Sequence, residues 1–257
     1  MRIDGKVVLI TGASDGIGAA CAQEFAAAGG RLSLTARSAE GLAKAGGTSA
    51  LITAGDLTVE ETRRQVVERT LERFGAIDVL INNAGVGLYG HSWNASMDDV
   101  RHMMELNFFA LLGMIQLVTP HMRQRKSGMI VNVGSIGGKI PLPWMTLYSA
   151  SKYAVTALTE GLRMELRGDN IMTLLVCPGY VSTGFQQHVR VGSAPDSVVR
   201  ARRMAISPAQ CAHAIRRGVE REARTILAPK AGWLLVAAAR LLPWLVEARM
   251  AKMNGTA

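Results

Sequence analysis

Cysteine is scarce in this chain of 257 residues. Cys21, Cys177 and Cys211 are odd in number, far apart, and form neither a C-x-x-C pair nor a Cys/His ligand spacing, which excludes a disulfide framework and reads as reduced, structural thiols. His91, His102, His121, His188 and His213 show no ligand-like pairing either, so no metal is expected. Aromatics are sparse at 5%, and no helix-turn-helix, zinc-finger or aromatic RNA-binding signature accompanies the formal charge of +9. Nucleic acid is therefore not an expected partner. Arg190, Arg200, Arg202, Arg203, Arg216, Arg217, Arg221 and Arg224, opposed only by Asp196, Glu220 and Glu222, read instead as a solvated basic face.

Long apolar runs are missing at the start as well. The first apolar stretch, residues 7–10, is too short for a signal peptide and runs into a glycine loop. A cytoplasmic location is expected, and Asn94-Ala95-Ser96 and Asn254-Gly255-Thr256 become chance glycosylation matches. With no repeat, low-complexity tract or Pro/Ser-rich linker, residues 1–257 read as one domain, with 230–257 as a helical tail.

What is present is an alternation of short β-branched runs with longer stretches of helical period, the pattern of a parallel sheet covered by helices on both faces. Strands are expected at 7–11, 31–35, 50–53, 79–82, 129–133, 172–177 and 225–227. Thr58 with Glu61, Ser96 with Asp99, and Ser207 before Pro208 mark helix starts.

Between the first strand and an alanine-rich helix over 19–28 lies Thr11-Gly12-Ala13-Ser14-Asp15-Gly16-Ile17-Gly18. Glycines there permit a tight turn and close approach of backbone to a pyrophosphate seated at the helix N-terminus. About 20 residues on, an acidic residue suits the free ribose of NAD and an arginine the 2′-phosphate of NADP. Leu34-Thr35-Ala36-Arg37-Ser38 contains no carboxylate, and the Arg37 guanidinium suits a phosphate. NADP(H) is expected over NAD(H).

Tyr148 and Lys152 lie one helical turn apart, and Ser135 precedes them by thirteen residues at the end of a strand. A phenol titrates near pH ~10, and a cation at ~4 Å in an effective dielectric of ~20 favours its anion by at most ~4 kcal/mol, enough to bring it toward ~7. Tyr148 thus reads as a proton donor and acceptor for an alcohol or carbonyl oxygen.

Thr11-Gly-x-x-x-Gly-Ile-Gly18, Asn82-Asn83-Ala84-Gly85, Asn107, Ser135, Tyr148-Ser-Ala-Ser-Lys152 and Pro178-Gly179-x-Val-x-Thr183 together resemble the short-chain dehydrogenase/reductase family, over the chain up to about Pro229. The resemblance implies an α/β fold, a Rossmann-type doubly wound parallel sheet of about seven strands. It also implies one nicotinamide cofactor and a site above the carboxyl ends of the strands. It assigns the substrate oxygen to Ser135 and proton transfer to Tyr148. Lys152 is to bind nicotinamide ribose and lower the phenol's pKa, and Asn107 to anchor a water leading from Lys152 to solvent. Cofactor contacts fall to Gly12, Ser14, Asp15, Gly16, Ile17, Gly18 and Arg37, to Asp56 and Leu57 beside adenine, and to Asn83, Ala84 and Gly85 beside the adenosine ribose. Tyr148, Lys152, Pro178, Gly179, Val181 and Thr183 complete the set.

Residues 184–206 are expected to close over the substrate, as they do in that family. In the tail, Leu234, Ala238, Leu241 and Leu245 share a helical face. Arg240 and Pro243 interrupt the apolar run before it reaches the ~20 residues of a spanning helix. Two fates stay open: packing over the substrate pocket or a subunit partner, the commoner outcome, or lying at a membrane surface. Either suggests a greasy, lipid-like or steroid-like carbonyl substrate. The leading expectation is an NADPH-dependent ketone or aldehyde reductase; a 3-oxoacyl-thioester reductase and a non-catalytic dinucleotide sensor are the alternatives. The resemblance also suggests a homodimer or homotetramer.

Overall fold

The computed structural model describes residues 1–185 and 205–253. Seven parallel strands are ordered β3-β2-β1-β4-β5-β6-β7: β1 Val7–Thr11, β2 Arg31–Ala36, β3 Leu51–Ala54, β4 Val79–Asn82, β5 Gly128–Val133, β6 Ile171–Pro178 and β7 Thr225–Ala228. All seven expected strands are present, with ends moved by a residue at most. The direction of winding reverses after β3, leaving a crevice between the carboxyl ends of β1 and β4, the switch point where such sheets bind ligands.

Helices cover both faces. On one, α1 (Gly16–Ala27), α2 (Ala39–Gly46) and α7 (Pro208–Glu220) pack through Phe25, Leu42 and Ile215 onto Val8, Ile10, Val79, Ile81 and Val131. On the other, α3 (Glu60–Phe74), α5 (Leu111–Arg125) and α6 (Thr146–Glu165) pack through Val66, Met114 and Val155 onto Leu9, Leu80, Ile130 and Leu175. The strand residues alternate between the two cores, yet both sides are dry, so the central strands read as continuous apolar runs. Cys21, Cys177 and Cys211 are free and buried.

Two caps differ from expectation. Thr58 does not cap α3: its N–H and hydroxyl both donate to Asp56 Oδ1 at 2.9 Å, and the helix starts after Val59 with no side-chain cap. Ser96 precedes α4 (Met97–Met104) without a capping bond from its side chain. Ser207 does cap α7, in a reciprocal box with Gln210. The helix after the glycine loop begins at Gly16, three residues earlier than expected, so the loop's last glycines form its first turn.

Buried amides tie α6 to the sheet. Asn82 Nδ2 donates to Asn132 Oδ1 (3.0 Å), and Asn132 Nδ2 to Thr159 Oγ1 of α6 (2.9 Å). Buried polar bonds of this kind fix a register that apolar packing leaves loose. The tail forms α8 (Gly232–Leu241) and α9 (Pro243–Met253), divided where Pro243 cannot continue a helix.

Candidate active site

A cavity of about 360 Å³ opens at the carboxyl ends of the strands. Its floor is the glycine loop. Gly12 has φ +64°, and a Cβ there would lie 2.8 Å from Ala84 Cα, so no side chain fits. Asn83 from the β4 loop clamps this turn, its Nδ2 donating to the carbonyls of Thr11 (3.0 Å) and Gly12 (3.1 Å). In return the Thr11 hydroxyl accepts from the N–H groups of Asn83 (3.0 Å) and Ala84 (3.1 Å). Asp15 caps α1, accepting from Gly16 N–H. Ser14, Asp15, Gly16 and Ile17 line the cavity above it.

Arg37 stands at the end of β2 on the cavity wall, next to Asp56 and Leu57. Burial raises the Asp56 pKa, but the Thr58 donors and the charges of Arg37 and His102 outweigh it and hold the carboxyl below its ordinary value. The wall facing α1 carries Asn83, Ala84 and Gly85, and after β6 come Pro178, Gly179, Val181 and Thr183. This donor set fits a nicotinamide dinucleotide. A loop that admits no Cβ approaches the start of a helix with free N–H groups, and a guanidinium lies one strand away.

Ser135, Tyr148 and Lys152 lie together, all buried, at the cavity's far end. Ser135 caps a short 3₁₀ turn, Ile136–Gly138, accepting from Gly137 N–H at 3.0 Å. A Cβ on Gly138 would come within 2.5 Å of the Lys152 carbonyl oxygen, so glycine at 138 lets α6 approach. The Ser135 hydroxyl lies near enough to the Tyr148 phenol to lower its pKa. Lys152 Nζ donates to the Val133 carbonyl (3.0 Å) and sits 5.8 Å from the centre of the Tyr148 ring.

The electrostatics differ from the expectation of a phenol lowered toward neutrality. Burial pushes the Tyr148 phenol up to about 12; the nearby Ser135 hydroxyl opposes this and Tyr89 adds to it. Burial likewise brings the Lys152 ammonium down to about 8. The expectation assumed a cation in contact with the phenol; here the ammonium points to a backbone carbonyl, and desolvation wins.

Asn107 and Gly18 do not line the cavity; they support it. Asn107 is buried in a π-helical turn, Glu105–Ala110, between α4 and α5. Its Oδ1 accepts from Val86 N–H (2.8 Å), and its Nδ2 donates to Val86 O (3.0 Å) and Ser151 Oγ (3.1 Å). Ser151 in turn donates to the Tyr148 carbonyl at 2.7 Å. The carboxamide thereby links the β4 loop to the turn of α6 that carries Tyr148 and Lys152.

An apolar chamber around Tyr148 escaped the sequence reading. Tyr89, Leu142, Met145 and Phe185 line the cavity beside it, and Phe185 meets the Tyr148 ring edge-on with centroids 5.9 Å apart. Leu142 and Met145 were detectable by closeness in sequence to Tyr148; Tyr89 and Phe185 arrive from loops that no local pattern links to it. The Thr11 hydroxyl clasp was likewise invisible, its partners lying 72 and 73 residues away. The expected lid falls largely on residues 186–204, outside the described residues, as do Arg190, Arg200, Arg202 and Arg203. Among the described residues, none of the tail lines the cavity.

A parallel seven-stranded sheet with a glycine cradle at its switch point and buried Ser, Tyr and Lys beside it defines a dinucleotide-dependent oxidoreductase. The family model described as short chain dehydrogenase matches residues 6–193. The chain is 33% identical to a dehydrogenase/reductase SDR family protein 7-like from Anopheles gambiae, over 99% of this chain and 86% of that one. It is 39% identical to a 3-ketodihydrosphingosine reductase from Bacteroides thetaiotaomicron, over 70% of this chain and 65% of that protein. Among solved structures, a short chain dehydrogenase/reductase from Burkholderia phymatum in complex with NAD superposes with TM-score 0.86 at 28% identity, covering 93% of this chain and 94% of that one. A short chain dehydrogenase from Burkholderia cenocepacia in complex with NADP gives 0.83 at 26%, covering 97% and 99%. The chain belongs to the short-chain dehydrogenase/reductase family and is an oxidoreductase acting on CH–OH groups with a nicotinamide dinucleotide.

Proposed function

We propose that the protein is an NADPH-dependent reductase of a hydrophobic, lipid-like ketone or aldehyde. The observation that carries this reading is the grouping of buried Ser135, Tyr148 and Lys152 in one cavity with an apolar chamber of Tyr89, Leu142, Met145 and Phe185. A dinucleotide held by the glycine loop, Arg37 and Lys152 would supply the hydride for the carbonyl carbon. Ser135 and Tyr148 meet the oxygen on which negative charge develops, two fixed donors in a site of low dielectric. Tyr148 then releases its proton to that oxygen, and Lys152 offers positive charge near the phenolate that remains. A phenol held near 12 is protonated throughout the neutral range, the form that reduction requires and oxidation does not.

Preference for NADPH rests on Arg37 in the cavity wall and on the lack of any carboxylate over residues 34–38. The likeness to a 3-ketodihydrosphingosine reductase supports a long-chain ketone over a small polar one. Turnover of a ketone panel with NADPH and with NADH, followed by loss of reduced-nicotinamide absorbance, tests the reading. Consumption of NADPH that rises with substrate chain length is the expected result. Equal use of short polar and long apolar ketones refutes the substrate class, and equal efficiency with NADH refutes the cofactor preference.

A further inference from the structure

Seven of the thirteen large apolar side chains exposed among the described residues belong to the last two helices and the residue that joins them: Trp233, Leu234, Leu235, Leu241, Leu242, Trp244 and Leu245. One side of α8 is anchored, with Val236 buried in the core shared with Leu227 and Arg240 acting electrostatically on Tyr153 of α6. The opposite side is bare. Leu234 and Leu241, two turns apart, are 77% and 75% exposed, and Trp244 and Leu245 of α9 continue the surface at 61% and 57%. An apolar face this concentrated marks a contact.

We propose that α8 and α9 form a docking face for an anionic lipid surface. Charge decides between a bilayer and a second copy. Lys230, Arg249 and Lys252, with Arg240 on the anchored side, are opposed in the tail by Glu247 alone, within a chain of formal charge +9. Two copies meeting through this face would bring like charges together, whereas cations flanking Trp and Leu are complementary to phosphate headgroups over acyl chains. The anchored side of α8, beneath this face, adjoins the active site: a Cβ at Gly232 would meet Ile136 Cδ1 at 3.3 Å, and Ile136 lines the cavity. A lipid-like substrate would enter the chamber from the surface on which the enzyme rests.

Flotation of the full chain with phosphatidylglycerol vesicles, compared with phosphatidylcholine vesicles, tests this without turnover. Binding to the anionic vesicles is expected, weakened about ten-fold or more on neutral ones or in high salt, and lost in Leu234→Glu/Leu241→Glu. Both leucines are solvent-facing, so the double variant is expected to fold and to reduce a small water-soluble ketone as the wild type does. That control separates failure of the docking face from failure of the catalytic reading. The blue shift of tryptophan emission on anionic vesicles should disappear in Trp233→Ala/Trp244→Ala. No flotation with either vesicle, or undiminished flotation of the leucine variant, overturns the proposal. So does light scattering in which the leucine variant splits the wild-type particle in two while neither protein floats, since the face would then bind a second copy.

Discussion

Lys152→Met separates the role of the lysine in chemistry from its effect on stability. The ammonium titrates near 8 in the folded chain against an ordinary 10.5. At ~1.36 kcal/mol per unit, burying the charged form costs about 3 kcal/mol wherever both states are protonated, that is, below pH 8. Methionine removes that cost but leaves the Val133 carbonyl without its donor, a loss of about 1–3 kcal/mol. At pH 7 the variant should therefore be at least as stable, by a margin of up to about 2 kcal/mol, with Tm higher by up to a few degrees, while turnover is lost. The pH dependence is the sharper signature. Between 8 and 10.5 the unfolded chain binds more protons than the folded one, so wild-type stability rises with pH and the advantage of methionine shrinks, by about 2 kcal/mol at pH 9.5. Urea titrations of both proteins at pH 7 and 9.5 measure the gap. A gap that stays constant, or widens with pH, would refute the claim that burial governs this lysine.

Tyr148→Phe keeps the ring against Phe185 and removes the donor; turnover should fall by about 10²–10³-fold or more, with dinucleotide binding by fluorescence unchanged. Arg37→Ser should raise KM for NADPH by about 10–100-fold and leave KM for NADH within a factor of about two, since a charge-assisted phosphate contact contributes about 1.5–3 kcal/mol. Asn107→Ala orphans the N–H and C=O of Val86 and should lower the unfolding free energy by about 2–5 kcal/mol in urea; an unchanged midpoint would show that water replaces the carboxamide. Gly12→Ala should abolish dinucleotide binding in equilibrium titration, because its Cβ meets the Ala84 backbone.

Much of the fold was legible because a doubly covered parallel sheet writes itself as short apolar strands between helical stretches. Val79–Asn82 is the clearest case, four buried residues expected and found with the same ends. The grouping of Ser135, Tyr148 and Lys152 was legible for a local reason: two lie on one helix and the third closes the neighbouring strand. Their titration was not. Whether a cation lowers a phenol depends on where Lys152 Nζ points and how much water remains, and spacing along a helix encodes neither. The Thr58 cap failed for a similar reason, since Asp56 two residues earlier competes for the same donors. The part played by Asn107 required the π-helical turn and the approach of Val86, contacts across 21 residues that no periodicity reports.

The reciprocal clamp between Thr11 and Asn83 makes two distant loops one mechanical part. Grafting a glycine turn from another dehydrogenase, to change which dinucleotide is used, would leave the β4 loop gripping a partner of the wrong shape. A workable chimera has to carry both segments across together, with Thr11 and Asn83 treated as a single inherited character.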